Sequence, residues 1–396
     1  MLHHQRLLTP GPTPIPSEVR LAMAAEMLHH RKPAFKAIVH KVQGQLKELF
    51  ATREPVLTLS CSGTGAMTAA AFGLFSPGET VVVVDGGKFG ERWVQIAENR
   101  ALSVIRLPVK WGQAVEPQAL SRVLDDNPDA SGVFVQLSET STGVLHPVEE
   151  LAKITRQRKT LLVVDGISAV GLSPCPLDAW GMDCLLTGSQ KGLMTPPGLA
   201  LLALSARAWR KAAEVTEGCF YFNLLKEREN LEKDQSLFTS PVSLIMGLSA
   251  SLDLMLSQGL DALYRKQWAL TMMARSGIAA LGLRPFAPRY YAWGVTSVCL
   301  PQGVDGTELV RRMADDHGIV VAGGQDHLKG RIIRIGHMGW VDYGDLAAGL
   351  HALAQALRSC GGYSASREYL EIALAAYHAA LAGPTGIEPE QAYLRA

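Results

Sequence analysis

No two of the six cysteines, Cys61, Cys175, Cys184, Cys219, Cys299 and Cys360, form a C-x-x-C pair. Metal knuckles and a disulfide framework are therefore poorly supported, and the pattern suits a reducing compartment. Net charge is equally scarce. The 38 basic and 37 acidic residues leave +1, which gives no long-range field to attract nucleic acid or an anionic membrane. No run approaches the ~18 uninterrupted apolar residues of a membrane helix. The opening MLHHQRLLTPGPTPIP lacks the apolar stretch of a secretory leader. The expectation is a cytoplasmic protein without a metal, a nucleic-acid partner or a membrane contact. Apolar mass is what the chain does have. Nearly half of its 396 residues are apolar, more than one core usually holds, which predicts two domains.

The proline-rich Thr9–Pro16 reads as an extended arm, because proline removes donors and fixes φ. Ser17 reads as an N-cap opening a helix through about Met27, and a second helix spans about Pro33–Phe50. Seven short β-rich runs follow, at Val56–Leu59, Val81–Val84, Val104–Leu107, Val133–Leu137, Leu161–Val164, Cys184–Thr187 and Leu199–Leu204. Helical spacing fills several gaps, at Ala66–Leu74, Glu91–Asn99, Gln118–Leu124 and Val148–Arg156. Apolar strands alternating with helices predict a mostly parallel α/β sheet. Ligands of such sheets sit beyond the carboxyl ends of the strands. After Gly259 the pattern changes to a long helix (about Leu260–Leu281), weaker strands (Thr296–Leu300, Ile319–Ala322, Ile332–Ile335) and helices at about Thr307–Asp316 and Asp345–Leu357. The division is an arm (1–16), a large domain (17–259), a small α+β domain (260–361) and an extension (362–396) holding an amphipathic helix at Ser366–Ala382.

Chemistry-bearing residues fall where the apolar runs end. Asp165 closes Leu161–Val164, and Lys191 follows 26 residues later in Ser189-Gln190-Lys191-Gly192. A lysine in semi-apolar surroundings can lose its proton and form a Schiff base. An aspartate on a neighbouring strand end can pair with a ring nitrogen and keep it protonated. Each also has an ordinary reading, as a loop cap and a solvated cation. The turn Ser60–Met67 between strand and helix suits either a tight connection or a phosphate cradle of backbone N–H groups and hydroxyls. It matches neither a Walker A loop nor G-x-G-x-x-G. Phe89, between glycines after Val81–Val84, is either a ring over the sheet edge or a stacking platform. Thr140 and its hydroxylated neighbours follow the fourth run. Arg334, inside the apolar Ile332–Ile335, needs a carboxylate, either a substrate's or a structural one.

The ensemble TPGPTPIP, SGTGAM, GGKFGERW, SETSTGVL, VVDGISAVG, GSQKGLMTPPG, FTSPVSL and GGQDHLKGRIIRIGHMG resembles the class V aminotransferases of pyridoxal-phosphate fold type I. The resemblance is to the alanine–glyoxylate/serine–pyruvate branch in particular and runs from Leu8 to Leu357. It implies a seven-stranded, mostly parallel large-domain sheet, pyridoxal 5'-phosphate as cofactor, and a homodimer with shared sites. By the same resemblance Lys191 would carry the cofactor, Asp165 would meet its ring nitrogen and Phe89 would stack on the ring. Ser62, Gly63, Thr64 and Gln190 would cradle its phosphate, and Thr140 would touch the ring's O3′ side. Thr239 would reach the neighbouring subunit's phosphate. Arg334 would hold the substrate carboxylate, with backbone near Gly11 closing over it. The implied activity is ping-pong amino transfer between alanine or serine and glyoxylate or pyruvate. Two positions depart from the branch: Phe89 where Trp is common, and Thr68 where Glu is. The competing readings are another donor such as aspartate, a cysteine-desulfurase-like lyase, and a non-catalytic binding subunit. The lyases carry His where Gln190 stands.

Overall fold

The computed structural model describes residues 5–361 and 368–383. Seven strands build the large sheet: β1 (Val56–Leu59), β2 (Thr80–Asp85), β3 (Ser103–Pro108), β4 (Gly132–Gln136), β5 (Leu161–Asp165), β6 (Cys184–Gly188) and β7 (Ala200–Leu204). Their order is β1-β7-β6-β5-β4-β2-β3. Only β7 runs antiparallel, to both β1 and β6. The apolar runs have no polar alternation because the sheet is covered on both faces. Val82, Val84, Leu162 and Val164 enter one core, while Val81, Val83, Leu161 and Val163 enter the other. Helices Gly63–Leu74 and Lys88–Asn99 cover the second face. Pro33–Phe50, Val148–Arg156 and Val242–Leu256 cover the first.

The first helix runs Ser17–Met23 with Pro16 at the N-cap, so Ser17 is not its cap and the helix stops short of Met27. The Ser17 hydroxyl is turned to Glu18 Oε2 at 3.1 Å. The Ala24 N–H reaches back to Arg20 and Leu21 carbonyls, tightening and ending the last turn. Met27 lies exposed, so no core rewards further helix there.

A second sheet has the order β8-β9-β11-β10, from β8 (Arg284–Pro285), β9 (Val295–Cys299), β10 (Ala322–Gly323) and β11 (Ile332–Gly336), all antiparallel. The run expected as one strand at Ile319–Ala322 divides at Val321. Ile319–Val320 instead pairs in parallel with Arg6–Leu7 of the arm. Leu8 then buries fully in the core beneath this sheet, and its carbonyl accepts the Gly336 N–H at 2.6 Å. The arm is thus stitched to the second sheet before it reaches the first.

The expected C-terminal helix spans Tyr369–Ala382. Residues 366 and 367, and the tail from 384, lie outside the described residues. It packs on Leu260–Ala280 and Tyr343–Gly361 of the same chain, burying Tyr369, Ala373 and Tyr377. Its outer face is not polar as an amphipathic helix requires, because Ile372 and Leu381 are exposed there. Truncation after Gly361 is expected to cost roughly 3 kcal/mol or more from lost apolar burial. Urea unfolding of the two proteins checks this, and equal midpoints would show that the helix adds no stability.

Candidate functional site

Strand β5 ends in Asp165 and β6 leads into Lys191, so the two side chains meet at one edge of the large sheet. The lysine loop is pinned on both sides. Ser189 N–H donates to Leu199 O at 3.0 Å, and the Thr195 hydroxyl donates to Ser189 O at 3.0 Å. The arm adds Thr13, whose N–H and hydroxyl donate to the carbonyls of Gln190 (3.2 Å) and Lys191 (3.1 Å). Lys191 Nζ donates to Pro10 O, its one hydrogen-bond partner among the described residues. Gly11 follows at φ +106°, where a Cβ would sit 2.6 Å from Lys191 Cδ and 2.7 Å from Nζ. Only glycine lets the arm close over the amine.

Burial, and then the Arg334 charge, lower the Lys191 pKa to about 8. Arg92 adds to this, and Asp165 opposes it. Burial, seconded by Glu139, raises Asp165 to about 7 against the pull of the Ile167 N–H, Lys191 and Arg92. That N–H donates to Asp165 Oδ1 at 2.8 Å, while Oδ2 has no partner among the described residues. A sparingly basic amine and a poised acid, buried together, are the tuning that proton-transfer sites need.

Next to this pair, helix Gly63–Leu74 begins with Ser62 at its N-cap and no side-chain cap. Neither Gly63 nor Thr64 N–H meets an acceptor among the described residues. Orphan donors at a helix N-terminus form an anion site. A Cβ on Gly63 would lie 2.5 Å from Ile167 Cδ1, so glycine is what allows the helix to dock on the Asp165 turn. Gln190 Oε1 is also buried without a partner. Thr68, the departure from the expected Glu, bonds its hydroxyl to Thr64 O at 3.1 Å within the same helix.

Two residues escaped the sequence reading. Glu139, at the end of the β4 connection, is fully buried. Its Oε2 accepts the N–H groups of Phe89 (3.1 Å) and Gly90 (3.2 Å), and its Oε1 accepts Ser141 N–H (3.1 Å) and Oγ–H (2.5 Å). It therefore caps helix Lys88–Asn99 from another strand and fixes the loop carrying Phe89. Burial pushes its carboxyl up in spite of these four donors. Arg92, one turn beyond Phe89, lays its guanidinium 4.8 Å from that ring's centroid and donates Nη1–H to Thr64 Oγ1 at 3.1 Å.

Arg334 alternates out of the second sheet's core, where Ile333 and Ile335 point, and turns toward the large sheet. Its Nε donates to Gly323 O (2.9 Å) and its Nη1 to Thr140 O (3.2 Å). No described carboxylate pairs with it, which removes the structural partner left open by the sequence. Thr140 uses its hydroxyl on Ser168 Oγ at 2.7 Å. Thr239 stands apart. It is exposed in a surface hollow with Met27–His30 and Pro241–Leu244 and makes no contact with the Lys191 group within this chain.

These residues fit pyridoxal phosphate. The orphan N–H groups, with the Gln190 Nε2–H beside them, face the phosphate's chemistry, Asp165 a ring nitrogen's, and Lys191 an aldehyde's.

The fold and the order of these elements are those of pyridoxal-phosphate-dependent aminotransferases of fold type I. Within that class, residues 7–335 match the family model of aminotransferase class V, and the chain belongs to that family. It is 37% identical over 358 residues to a protein named soluble hydrogenase, small subunit, from Synechococcus sp. (strain PCC 6716), covering 90% of this chain and 93% of that one. It is 32% identical to a serine–glyoxylate aminotransferase of Hyphomicrobium methylovorum, covering 92% and 94%. Among solved structures, an alanine–glyoxylate aminotransferase from Nostoc sp. superimposes with a TM-score of 0.86 at 30% identity, covering 90% and 96%.

Proposed function

We propose that this protein is a cytoplasmic, homodimeric, pyridoxal-phosphate-dependent aminotransferase. It moves an amino group between alanine or serine and glyoxylate or pyruvate by a ping-pong sequence. The observation that carries the reading is Lys191, a buried amine of lowered basicity facing Asp165, with a guanidinium at Arg334 that pairs with no described carboxylate. Bound pyridoxal phosphate supplies an aldehyde for this amine and a ring that withdraws electrons from the substrate α-carbon.

Arg334 holds the substrate α-carboxylate in a two-pronged bond, and its own anchors at Gly323 and Thr140 keep the fork from swinging. That grip sets the α-hydrogen toward Lys191 Nζ. The neutral amine takes the proton and later gives it back, a transfer aided by a pKa close to working pH. Asp165 would hold a proton at the ring nitrogen and Phe89, fixed by Glu139, would hold the ring, while Gly11 with Pro10 keeps water from above the amine. Thr239, exposed and without contact to the Lys191 group in its own chain, serves the site of a second subunit. The names of the relatives from Hyphomicrobium and Nostoc support the choice of small substrates.

A donor-by-acceptor panel on purified enzyme is the test. Alanine with glyoxylate is expected to give the highest kcat/KM. A clear preference for aspartate with 2-oxoglutarate would overturn the substrate choice while leaving amino transfer intact.

A further inference from the structure

The four residues assigned to the phosphate cradle from sequence, Ser62, Gly63, Thr64 and Gln190, are all neutral. A phosphate monoester carries about −1.5 to −2 charges at pH 7. A helix N-terminus supplies only about half a positive charge. The cradle as first read is therefore short of counter-charge.

Arg92 lies where that charge is missing. It and Phe89 are three residues apart on helix Lys88–Asn99, so both project from one face. Among the described residues, no other lysine or arginine bonds to a cradle side chain. Of the acids nearby, Glu91 and Asp326 both pair with Lys88 at 2.9 Å, and Asp165, though it feels the Arg92 charge, forms no ion pair with it. Arg92 is left with one hydroxyl and one ring face as partners, both neutral. A guanidinium next to a helix N-terminus is also the unfavourable arrangement, since cations belong at the opposite end. Two positive features side by side repel each other unless an anion lies between them.

We propose that Arg92 is the charged member of the cradle, binding the cofactor phosphate beside Thr64 and the Gly63–Thr64 N–H groups, with Phe89 holding its guanidinium in place. This rests on the aminotransferase reading for the identity of the anion, though not for its existence. It gives the aromatic ring at position 89 a second task beyond stacking on the cofactor. A planar fork suits a phosphate better than an ammonium does, so Arg92→Lys keeps the charge but loses part of the bond.

The test uses the full-length protein freed of cofactor and the variants Arg92→Gln and Arg92→Lys, with unchanged melting midpoints as the check on folding. Each is titrated with pyridoxal phosphate and with phosphate-free pyridoxal. Binding is followed by visible absorbance and, after borohydride, by the mass of the peptide holding Lys191. Binding of inorganic phosphate alone is measured by calorimetry. Arg92→Gln is expected to weaken pyridoxal phosphate and inorganic phosphate by about 10- to 100-fold, to leave pyridoxal within about twofold, and to be partly rescued in Arg92→Lys. Equal weakening of both aldehydes would overturn the proposal and make Arg92 a support for the ring. So would unchanged phosphate binding, with or without a raised KM for dicarboxylate substrates. If wild type binds phosphate through Arg92 yet neither aldehyde reaches Lys191, the aminotransferase reading falls and the anion site stands.

Discussion

A Lys191→Ala protein is expected to lose amino transfer by roughly 10⁴-fold or more, because in the proposed reaction the residue carries both the cofactor bond and the proton transfer. The arm encloses Nζ with Pro10 and Gly11, which keeps other amines from its place. Single-turnover conversion of alanine to pyruvate is the direct measurement. Turnover at the native rate would mean that the amine has no part in the chemistry. The native protein adds a pH signature. With its pKa lowered to about 8, half of the Lys191 amines are neutral at that pH. An ordinary lysine would be less than about one per cent neutral there. Reaction of the cofactor-free protein with pyridoxal is thus expected to rise through pH 8 and level off above it.

Asp165→Asn is the second large effect, a fall in kcat of roughly 10²- to 10³-fold. The amide keeps the oxygen that accepts the Ile167 N–H but cannot carry the charge that holds a ring proton. KM for the amino acid should move little, since Arg334 is untouched. A loss appearing only in KM would show that Asp165 serves binding. Stability should move the other way. The folded-state pKa of about 7 lies above the usual 3.8, so ionising this buried carboxyl costs stability as pH rises between those values. The variant escapes that cost. Relative to the cofactor-free wild type, its melting temperature should gain from pH 4 to 7 and stay level beyond.

Much of the fold was legible because burial on two faces writes itself as apolar runs; all seven strands of the large sheet were placed this way, although the edge strand β3 is only partly buried and carries Arg106. Asp165 and Lys191 were legible for the same reason, as charged residues at the ends of such runs. Helix Val242–Leu256 was not. It is buried on so much of its circumference that it shows little of the polar periodicity by which a surface helix is recognised. Glu139 stayed hidden because its capping bonds reach back 49 and 50 residues, and Arg92 because its partner lies 28 residues away. A local pattern has no record of such pairings. The segment read as an extended arm bends at Thr9–Pro12, and the strand is Arg6–Leu7 just before it, whose partner Ile319–Val320 lies some 300 residues on. Arg334 needed the folded chain to show which carboxylates were within reach.

The bond between Leu8 O and Gly336 N has a mechanical implication. Pro10, which caps the amine, and Arg334, the proposed substrate grip, each stand two residues from it, one on the arm and one on β11. If Arg334 grips a substrate carboxylate as proposed, a shift of its strand would pass through this one bond to the Pro10 carbonyl over the amine, so the grip and the latch would move together.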